Sequence, residues 1–502
     1  MIKLFNFYLL MIFTLISIRG SLASEISVSV KYSKIWGPGL QPHIFIMPAR
    51  YFFIQAFDNN NNSISSDLGI VFDVVLEGNS KTQKPCRIWT NHLDRKDGFY
   101  ITRYKMYEPC FNMKIIVRYK GEHVDKSPYN VPETVYPDDC NCPNYSVNQF
   151  LERWKCRDVP KQIVTDLKPF NNINWNDIRD KVIKKFNQPH SVSLCHYIIK
   201  NNVIYRTCYG KYVGFKMFMD SILLSLSRKV KLPDLEFFVN LGDWPLVNEK
   251  SEKFPIFSWC GSTTSYDIIM PTYDITESTL ENMGRVMLDM LSVQGNVEGS
   301  WKDRTEKAFW RGRDSNQHRL DLIDISRQHP DIFNVSLTNF FFFRDKQDIY
   351  GPKSEHVSFF TFFNYKYQLA LDGTVAAYRF PYLLAGGSLV IKQESQYYEH
   401  FYNDLIPNTH YLKMKRDLSD MVEKIKWAKE NDELAQKIAR SGQKFANENL
   451  LPQHIFCYHV HLLNEFSKII KSRINIFENM EKVEQIKQQN YCNCETTVKD
   501  EL

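Results

Sequence analysis

The stretch that most constrains the fold of this 502-residue chain is Leu371–Lys392, LDGTVAAYRFPYLLAGGSLVIK. The apolar run Tyr367–Leu371 before it reads as a buried strand. Asp372-Gly373-Thr374 reads as a turn ending in an N-cap, Val375–Ala385 as a helix closed by Gly386-Gly387, and Ser388–Lys392 as the next strand. That is a βαβ unit, which commits this part of the chain to an α/β layer. Its loop leads into a helix N-terminus, where unpaired N–H groups and the helix dipole favour an anion. Arg379, one turn in, either clamps phosphates or is a surface residue of an ordinary βαβ unit.

The length implies two or three domains. The net charge of +6 is spread along the chain and gives no case for nucleic acid. Lys3, the apolar run Leu4–Ile18 and the small residues around Ser21-Leu22-Ala23 read as a signal peptide over 1–23. That run is short for a membrane span, and no later apolar run reaches about 18 residues, so no membrane insertion is expected. Lys499, Asp500, Glu501 and Leu502 spell the retrieval signal of the endoplasmic reticulum lumen, read by the KDEL receptor. The two ends agree on a lumenal protein. In that compartment eleven cysteines read as oxidised pairs plus at least one leftover thiol. Cys140, Cys142 and Cys156 cluster in one connector, and Cys492 and Cys494 lie in the tail, without the Cys-x-x-Cys pairs of a zinc site. Asn61, Asn144 and Asn334 each begin an Asn-x-Ser sequon and are candidate glycan acceptors.

Residues 30–132 alternate as short strands, among them Tyr51–Phe57, Gly69–Leu76, Phe99–Tyr104 and Lys114–Tyr119, and read as a β-sandwich. A connector follows with short helices at Val147–Trp154 and Trp175–Phe186. Strands His196–Ile199 and Val203–Arg206 flank an Asn201-Asn202 hairpin turn. Phe215–Leu226 has helical spacing, and the apolar strand Leu235–Leu241 ends in Gly242-Asp243-Trp244-Pro245. A second α/β layer begins with Ala308–Trp310, opening on Arg311-Gly312-Arg313, then a helix at His318–Gln328 and strands at Asn334–Leu337 and Phe340–Phe343. Leu418–Asn447 is a long helix or a pair, and His454–Ile474 a final helix.

Ligands of open α/β sheets bind beyond the carboxyl ends of strands. Asp243 stands there and either takes a proton from a substrate hydroxyl or caps its own turn. Arg311, Arg313 and Arg319 with Arg379 give either several cations facing one anion or a solvated basic face. No Asp-x-Asp occurs, so any phosphate charge falls to arginines and a helix N-terminus. His454, His459 and His461 do not all share a helix face and read as structural.

Two resemblances add to this. Trp36–Leu40, Ala49–Asp58, Asp94–Tyr100 and Tyr119–Val124 with Ser127-Pro128-Tyr129 resemble a filamin repeat, which either takes partners at a sheet edge or serves as a spacer. Residues 190–470 resemble glycosyltransferase family 90, the protein O-glucosyltransferases. The motifs are His196-Tyr197, Asp243-Trp244-Pro245, Phe309–Gly312, Asn364–Tyr367, Gly373–Phe380, Phe401-Tyr402, His410-Tyr411 and Cys457-Tyr458.

The resemblance implies an immunoglobulin-like β-sandwich followed by a GT-B fold of two Rossmann-like domains. Boundaries are then 24–132 for the filamin-type sandwich, 133–190 for the connector, 191–300 for the acceptor-side domain, 301–448 for the donor domain, 449–475 for a C-terminal helix and 476–502 for the tail. It implies transfer of glucose from UDP-glucose to serine hydroxyls of EGF-like repeats such as those of Notch, inverting, with no metal or other cofactor. Asp243 is the implied base, and Arg313, Arg319, Thr374, Val375, Ala376, Ala377, Tyr378 and Arg379 are the implied UDP-sugar contacts. Tyr209, Gly210, Lys211, Tyr212 and Val213 are the implied acceptor loop, although Cys208 stands alone where the better-known EGF-modifying member has two cysteines. By the same likeness Cys457 is expected to join Cys140 or Cys142. The alternatives are UDP-xylose as donor, or a non-catalytic lumenal protein that binds EGF-containing clients through the filamin repeat.

Overall fold

A computed structural model describes residues 27–140, 145–189, 193–281 and 289–484. The expected signal peptide, Cys142, Asn144, Cys492, Cys494 and Lys499–Leu502 lie outside these residues.

The first domain is a sandwich of eight strands: β1 (Lys34–Trp36), β2 (Arg50–Gln55), β3 (Phe72–Asn79), β4 (Ile88–Asp94), β5 (Phe99–Met106), β6 (Phe111–Tyr119), β7 (Glu122–His123) and β8 (Tyr129–Asn130). One sheet has the order β1-β2-β5-β4, and in the other β6 pairs with β3, β7 and β8. Phe52, Ile54, Tyr104, Ile115 and Val117 fill the space between them, and a Cys86–Cys110 disulfide closes one end. An antiparallel sheet with one wet face alternates apolar and polar residues. Here β2 and β5 are buried on both faces, because Tyr51, Phe53, Phe99 and Ile101 join the core of the rest of the chain. The sandwich is docked, not strung on a tether.

The connector holds α1 (Val147–Arg153), α2 (Lys161–Leu167), which has no counterpart in the sequence reading, and α3 (Trp175–Phe186). The first α/β unit contains β9 (Leu194–Lys200), β10 (Val203–Tyr209), α4 (Lys216–Ser227), β11 (Leu235–Asn240), β12 (Ile256–Ser258), β13 (Gly261–Ser262), β14 (Ile268–Ile269), α5 (Tyr273–Leu280) and α6 (Met290–Gly295). Asn201 and Asn202 both take positive φ, as a two-residue hairpin requires, and β9 and β10 pair antiparallel across it as expected, with Lys200 opposite Val203. The sheet is mixed: β11, β12 and β14 run parallel, whereas β9 is antiparallel to β11 and β10.

The second unit is built from β15 (Thr305–Arg313), α7 (Gln317–Gln328), β16 (Phe333–Asn339), β17 (Tyr365–Ala370), α8 (Phe380–Ala385), β18 (Leu389–Gln393), β19 (Tyr397–Tyr398), β20 (Leu412–Met414), α9 (Met421–Glu430) and α10 (Asp432–Asn449). Its five-stranded sheet, β16-β15-β17-β18-β20, is parallel throughout. β19 leaves it to pair with β13, which stitches the two units together. α11 (Pro452–Ile469) crosses back to the first unit, where Cys457 bonds Cys156 and the Tyr458 hydroxyl donates to the Ile269 carbonyl at 2.8 Å. The expected partner of Cys457 was therefore wrong. The tail returns as β21 (Glu481–Lys482) on the free edge of β10.

Three further expectations are corrected. The Val375–Ala385 helix is only Phe380–Ala385, with Pro381 in its first turn. Proline belongs there and not mid-helix, so Pro381 marked the true start. The 372–379 backbone is instead held by side chains: Asn316 donates to the carbonyls of Asp372 (3.0 Å) and Gly373 (2.7 Å), and Arg319 to those of Asp372 (2.7 Å) and Leu371 (3.3 Å). The 308–310 strand runs on through Arg313, so the Arg-Gly-Arg segment is strand, not loop. Phe340–Phe343 is not a strand. The buried Asp314 carboxylate accepts the N–H groups of Phe341, Phe342 and Phe343 at 2.7, 2.9 and 2.6 Å and folds them into a turn. Asp314→Ala leaves those donors without their acceptor and is expected to cost about 2–4 kcal/mol, measured by denaturant unfolding. A loss under 0.5 kcal/mol on that scale would mean the turn holds itself.

Candidate active site

The Asp243 turn is organised by its neighbours. Asn240, fully buried at the end of β11, accepts from the Gly242 N–H (2.9 Å) and donates to the Trp244 carbonyl (2.6 Å). Buried Asp267 holds the far side, accepting the Leu246 and Val247 N–H groups and the Ser258 hydroxyl at 2.8, 2.8 and 2.6 Å. The capping is thus done by Asn240 and Asp267. Among the described residues, the Asp243 carboxylate has one hydrogen-bond partner, the Tyr273 hydroxyl at 3.4 Å. Burial raises its pKa, and the Tyr273 bond pulls the other way. The Asp243 carbonyl meets the Cys260 thiol (3.3 Å) and the Tyr378 hydroxyl (3.4 Å). Cys260 is the free cysteine among the described residues, and burial pushes its thiol up to about 12.

Asp243 lines a cavity of about 810 Å³ with Ser193, Gly210, Lys211, Tyr212 and Trp244. Three of the five expected acceptor-loop residues therefore face it. Tyr209 and Val213 instead pack against the core. Gly210 (φ 92°) and the Tyr212 N–H, which donates to Ser193 Oγ at 2.9 Å, set the loop, and Cys208 is tied to Cys195 across the hairpin. Tyr212 and Trp244 stand exposed at the rim, 75% and 47%.

Tyr378 leads into a second cavity of about 550 Å³, bounded by Arg311, Gly312 and Arg313 of β15, by Tyr378, Arg379 and Tyr382 at and before α8, and by Asp274 and Glu277 from α5. The Tyr273 and Tyr378 rings meet edge to face at 5.5 Å between the two cavities. Arg379 Nη1 donates to the Arg311 carbonyl (2.6 Å), and burial with Arg313 nearby brings its pKa down to about 10. Arg311 is anchored on the Trp310 and Asn334 carbonyls, both at 2.9 Å. Arg313 is exposed.

The other expected donor contacts sit behind this wall. Arg319 is buried and spends its guanidinium on the carbonyls of Leu371, Asp372 and Arg313 (3.0 Å) and on Ser315 Oγ (3.1 Å), with burial pulling its pKa to about 9. Val375, Ala376 and Ala377 are buried, and Thr374 is half-buried. These residues do not line the cavity and support it through the 372–379 backbone. The Asn334 amide is engaged at both ends, accepting from Arg311 (2.6 Å) and donating to Tyr365 (2.7 Å), whereas Asn61 stands exposed in a turn.

Sequence reasoning missed Tyr273, Asp274 and Glu277, which one turn of α5 brings to the seam. Burial first, then Asp243 and Glu277, pushes Asp274 up to about 6. Its charge therefore costs stability above about pH 6 and costs nothing once both folded and unfolded forms are protonated below about pH 4. Asp274→Asn is expected to stabilise the chain by roughly 1–2 kcal/mol at pH 8 and by little at pH 4. Thermal unfolding at the two pH values checks this, and equal effects at both would remove charge as the cause.

Residues 152–501 match the model of glycosyl transferase family 90, and residues 27–130 that of the filamin/ABP280 repeat. Protein O-glucosyltransferase 2 of Danio rerio is 46% identical over 479 residues, 94% of this chain and 95% of its own length. Protein O-glucosyltransferase 3 of Homo sapiens is 46% identical over 470 residues, 92% of each. Protein O-glucosyltransferase 1 of Homo sapiens is 29% identical over 289 residues, 56% of this chain and 73% of its own length. The chain belongs to glycosyl transferase family 90, a filamin repeat joined to a glycosyltransferase of the protein O-glucosyltransferase kind.

Proposed function

We propose that the chain moves glucose from UDP-glucose to a serine hydroxyl of EGF-like repeats, with inversion and without a metal, on a GT-B arrangement of its two α/β units. The observation that carries this is Asp243, a carboxylate not used by its own turn, on one cavity and one tyrosine away from a second cavity edged by arginines. On this reading the diphosphate of the donor lies against Arg379, Arg313 and Arg311, and the acceptor serine enters over Trp244 and Tyr212. Asp243 takes the serine proton as the oxygen attacks the anomeric carbon, and the arginines offset the charge gathering on the departing UDP. Arg319 acts at one remove by fixing the 371–373 backbone. The arginine-edged cavity and the family's name support a nucleotide-sugar donor, and the exposed aromatic rim supports a folded protein acceptor. We place the reaction in the lumen of the endoplasmic reticulum, on the Lys499–Leu502 signal. Among the described residues no helix is long and apolar enough to cross a membrane.

Incubation with UDP-glucose and a folded EGF repeat is expected to add one hexose to the repeat by mass. No gain with UDP-glucose, but a gain with UDP-xylose, would move the assignment to the pentose donor. Asp243→Asn is expected to lower transfer roughly 10²–10⁴-fold while UDP still binds; substantial transfer by that variant would remove Asp243 as base. Because the base must be ionised and burial raises its pKa, kcat/KM is expected to fall with acid at a pH above the ordinary carboxylate range. Arg379→Ala is expected to weaken UDP in titration calorimetry by at least about tenfold, the loss of one charge-assisted contact, and unchanged affinity would count against the arginine-edged cavity as the diphosphate site.

A further inference from the structure

Two ion pairs join the sandwich to the helices around the cleft, one at the end of α5 and one at the start of α6. α5 brings Tyr273, Asp274 and Glu277 to the seam with its first turn. Its last turn closes on Glu281, a non-glycine residue in left-handed backbone (φ 51°) and nine-tenths buried. Such a conformation persists where the surroundings enforce it. Glu281 is ion-paired with Lys105 of β5. α6 opens on Asp289, whose carboxylate caps the helix by accepting the Leu291 and Ser292 N–H groups at 2.8 and 2.7 Å. The same carboxylate is ion-paired with Arg103, two residues before Lys105 and so on the same face of β5. Arg103 is aimed by Asn91 of β4, whose side-chain oxygen accepts from Nη2 at 2.8 Å.

The grip continues along α6. A Cβ on Gly295 would stand 2.4 Å from the Leu93 side chain of β4, so only glycine lets the two elements close to this distance. α6 in turn packs on α8, the helix that starts immediately after Tyr378 and Arg379. Tyr382 of α8 reaches Ser278 of α5 at 3.4 Å. The side chains of Arg103 and Glu281 are each 5% exposed and those of Asp289 and Lys105 are 16% and 18% exposed, so each pair has one buried partner and is only weakly screened by water.

We propose that Arg103 and Lys105 of the β-sandwich are positioning residues for sugar transfer: through Asp289 and Glu281 they set the pose of α5 and α6, and so of Tyr273 against Asp243 and of α8 behind Arg379. The inference rests on the reading of the cleft as the transfer site. On this account the sandwich is a structural wall of the active site and cannot be removed as a detachable partner-binding module. A spacer would meet the rest of the chain through exchangeable polar contacts. Here two cations of one sheet face, Arg103 buried and Lys105 half-buried, are matched to two carboxylates that end one cleft helix and begin the next.

The test uses the full chain and two variants, Lys105→Met, which keeps the stem and removes the charge, and the swap Lys105→Glu with Glu281→Lys. Lys105→Met is expected to speed amide hydrogen exchange across Tyr273–Leu280, to lower kcat for transfer about 10–100-fold, as a displaced site does, and to leave the KM for the acceptor nearly unchanged. The swap is expected to restore both exchange protection and kcat in large part. Wild-type exchange and kcat in Lys105→Met would overturn the proposal, as would a loss of both that the swap does not recover. Should the parent chain transfer no sugar, the reading of the cleft fails, and the exchange rates of the two variants still decide whether Lys105 positions α5.

Discussion

The cleft lines one cavity with carboxylates on one wall and guanidinium groups on the other, without letting them neutralise one another. Opposite charges brought out of water attract strongly, and the easiest outcome is a set of internal ion pairs. Among the described residues, Asp243, Asp274, Arg311, Arg319 and Arg379 form no ion pair with any residue. The arginines donate mainly to backbone carbonyls, and the Asp243 carboxylate accepts from a tyrosine hydroxyl. The consequence is visible in the titration of both kinds of group: burial pushes Asp243 and Asp274 up and Arg319 and Arg379 down. Asp274 and Arg379, which line the second cavity, are thereby held in a form that an incoming partner of opposite character can relieve, whereas Arg319 spends its charge on the backbone behind them.

That arrangement explains much of the surrounding structure. A carbonyl can hold a guanidinium only if its own strand hydrogen bonds leave it free, which is true at strand ends and in turns. Arg379 therefore meets the carboxyl end of β15, and Arg319 meets the end of β17 where it breaks into the 372–379 turn. The same logic places Asn240 at the end of β11. A buried amide there supplies both an acceptor and a donor to fold the next four residues, and so spares Asp243 from capping its own turn. The stitching of β13 to β19 and the return of α11 then fix how far apart the two strand-end clusters stand.

Features carried by local chemistry were legible in the sequence. Asn201-Asn202 announced its hairpin because both residues tolerate positive φ. Asp243 stood out because an apolar strand ends directly before it. What escaped were features decided by distant partners. Phe340–Phe343 has strand composition, but Asp314 takes three of its N–H groups. Arg319 looks like an anion ligand in a list of residues, and only the fold shows its guanidinium facing carbonyls. Cys156 and Cys457 are 301 residues apart, a pairing that no spacing rule selects. Arg103 and Lys105 look like the wet face of a strand until α5 and α6 arrive against it. The one overlooked local signal was Pro381, whose place in the first turn of α8 was enough to move the helix start to Phe380.

A protein that only held clients through its filamin repeat has no use for this cleft. Unpaired buried charges cost stability, and substitution by neutral residues removes that cost at no loss to a scaffold. The chain has instead kept Asp243 and Asp274 facing one seam with Arg379 beyond it, and has committed Asn240, Asp267 and Arg319 to hold the backbone around them. Ionisable groups that line a cavity and are perturbed by burial without an ion-pair partner fit a ligand site better than a scaffold. The docking of the sandwich argues in the same direction. If binding clients were the whole task, the repeat would serve best when free to present its sheet, yet its β2 and β5 face is buried against the transferase and its charged pair is spent on the two helices that shape the seam.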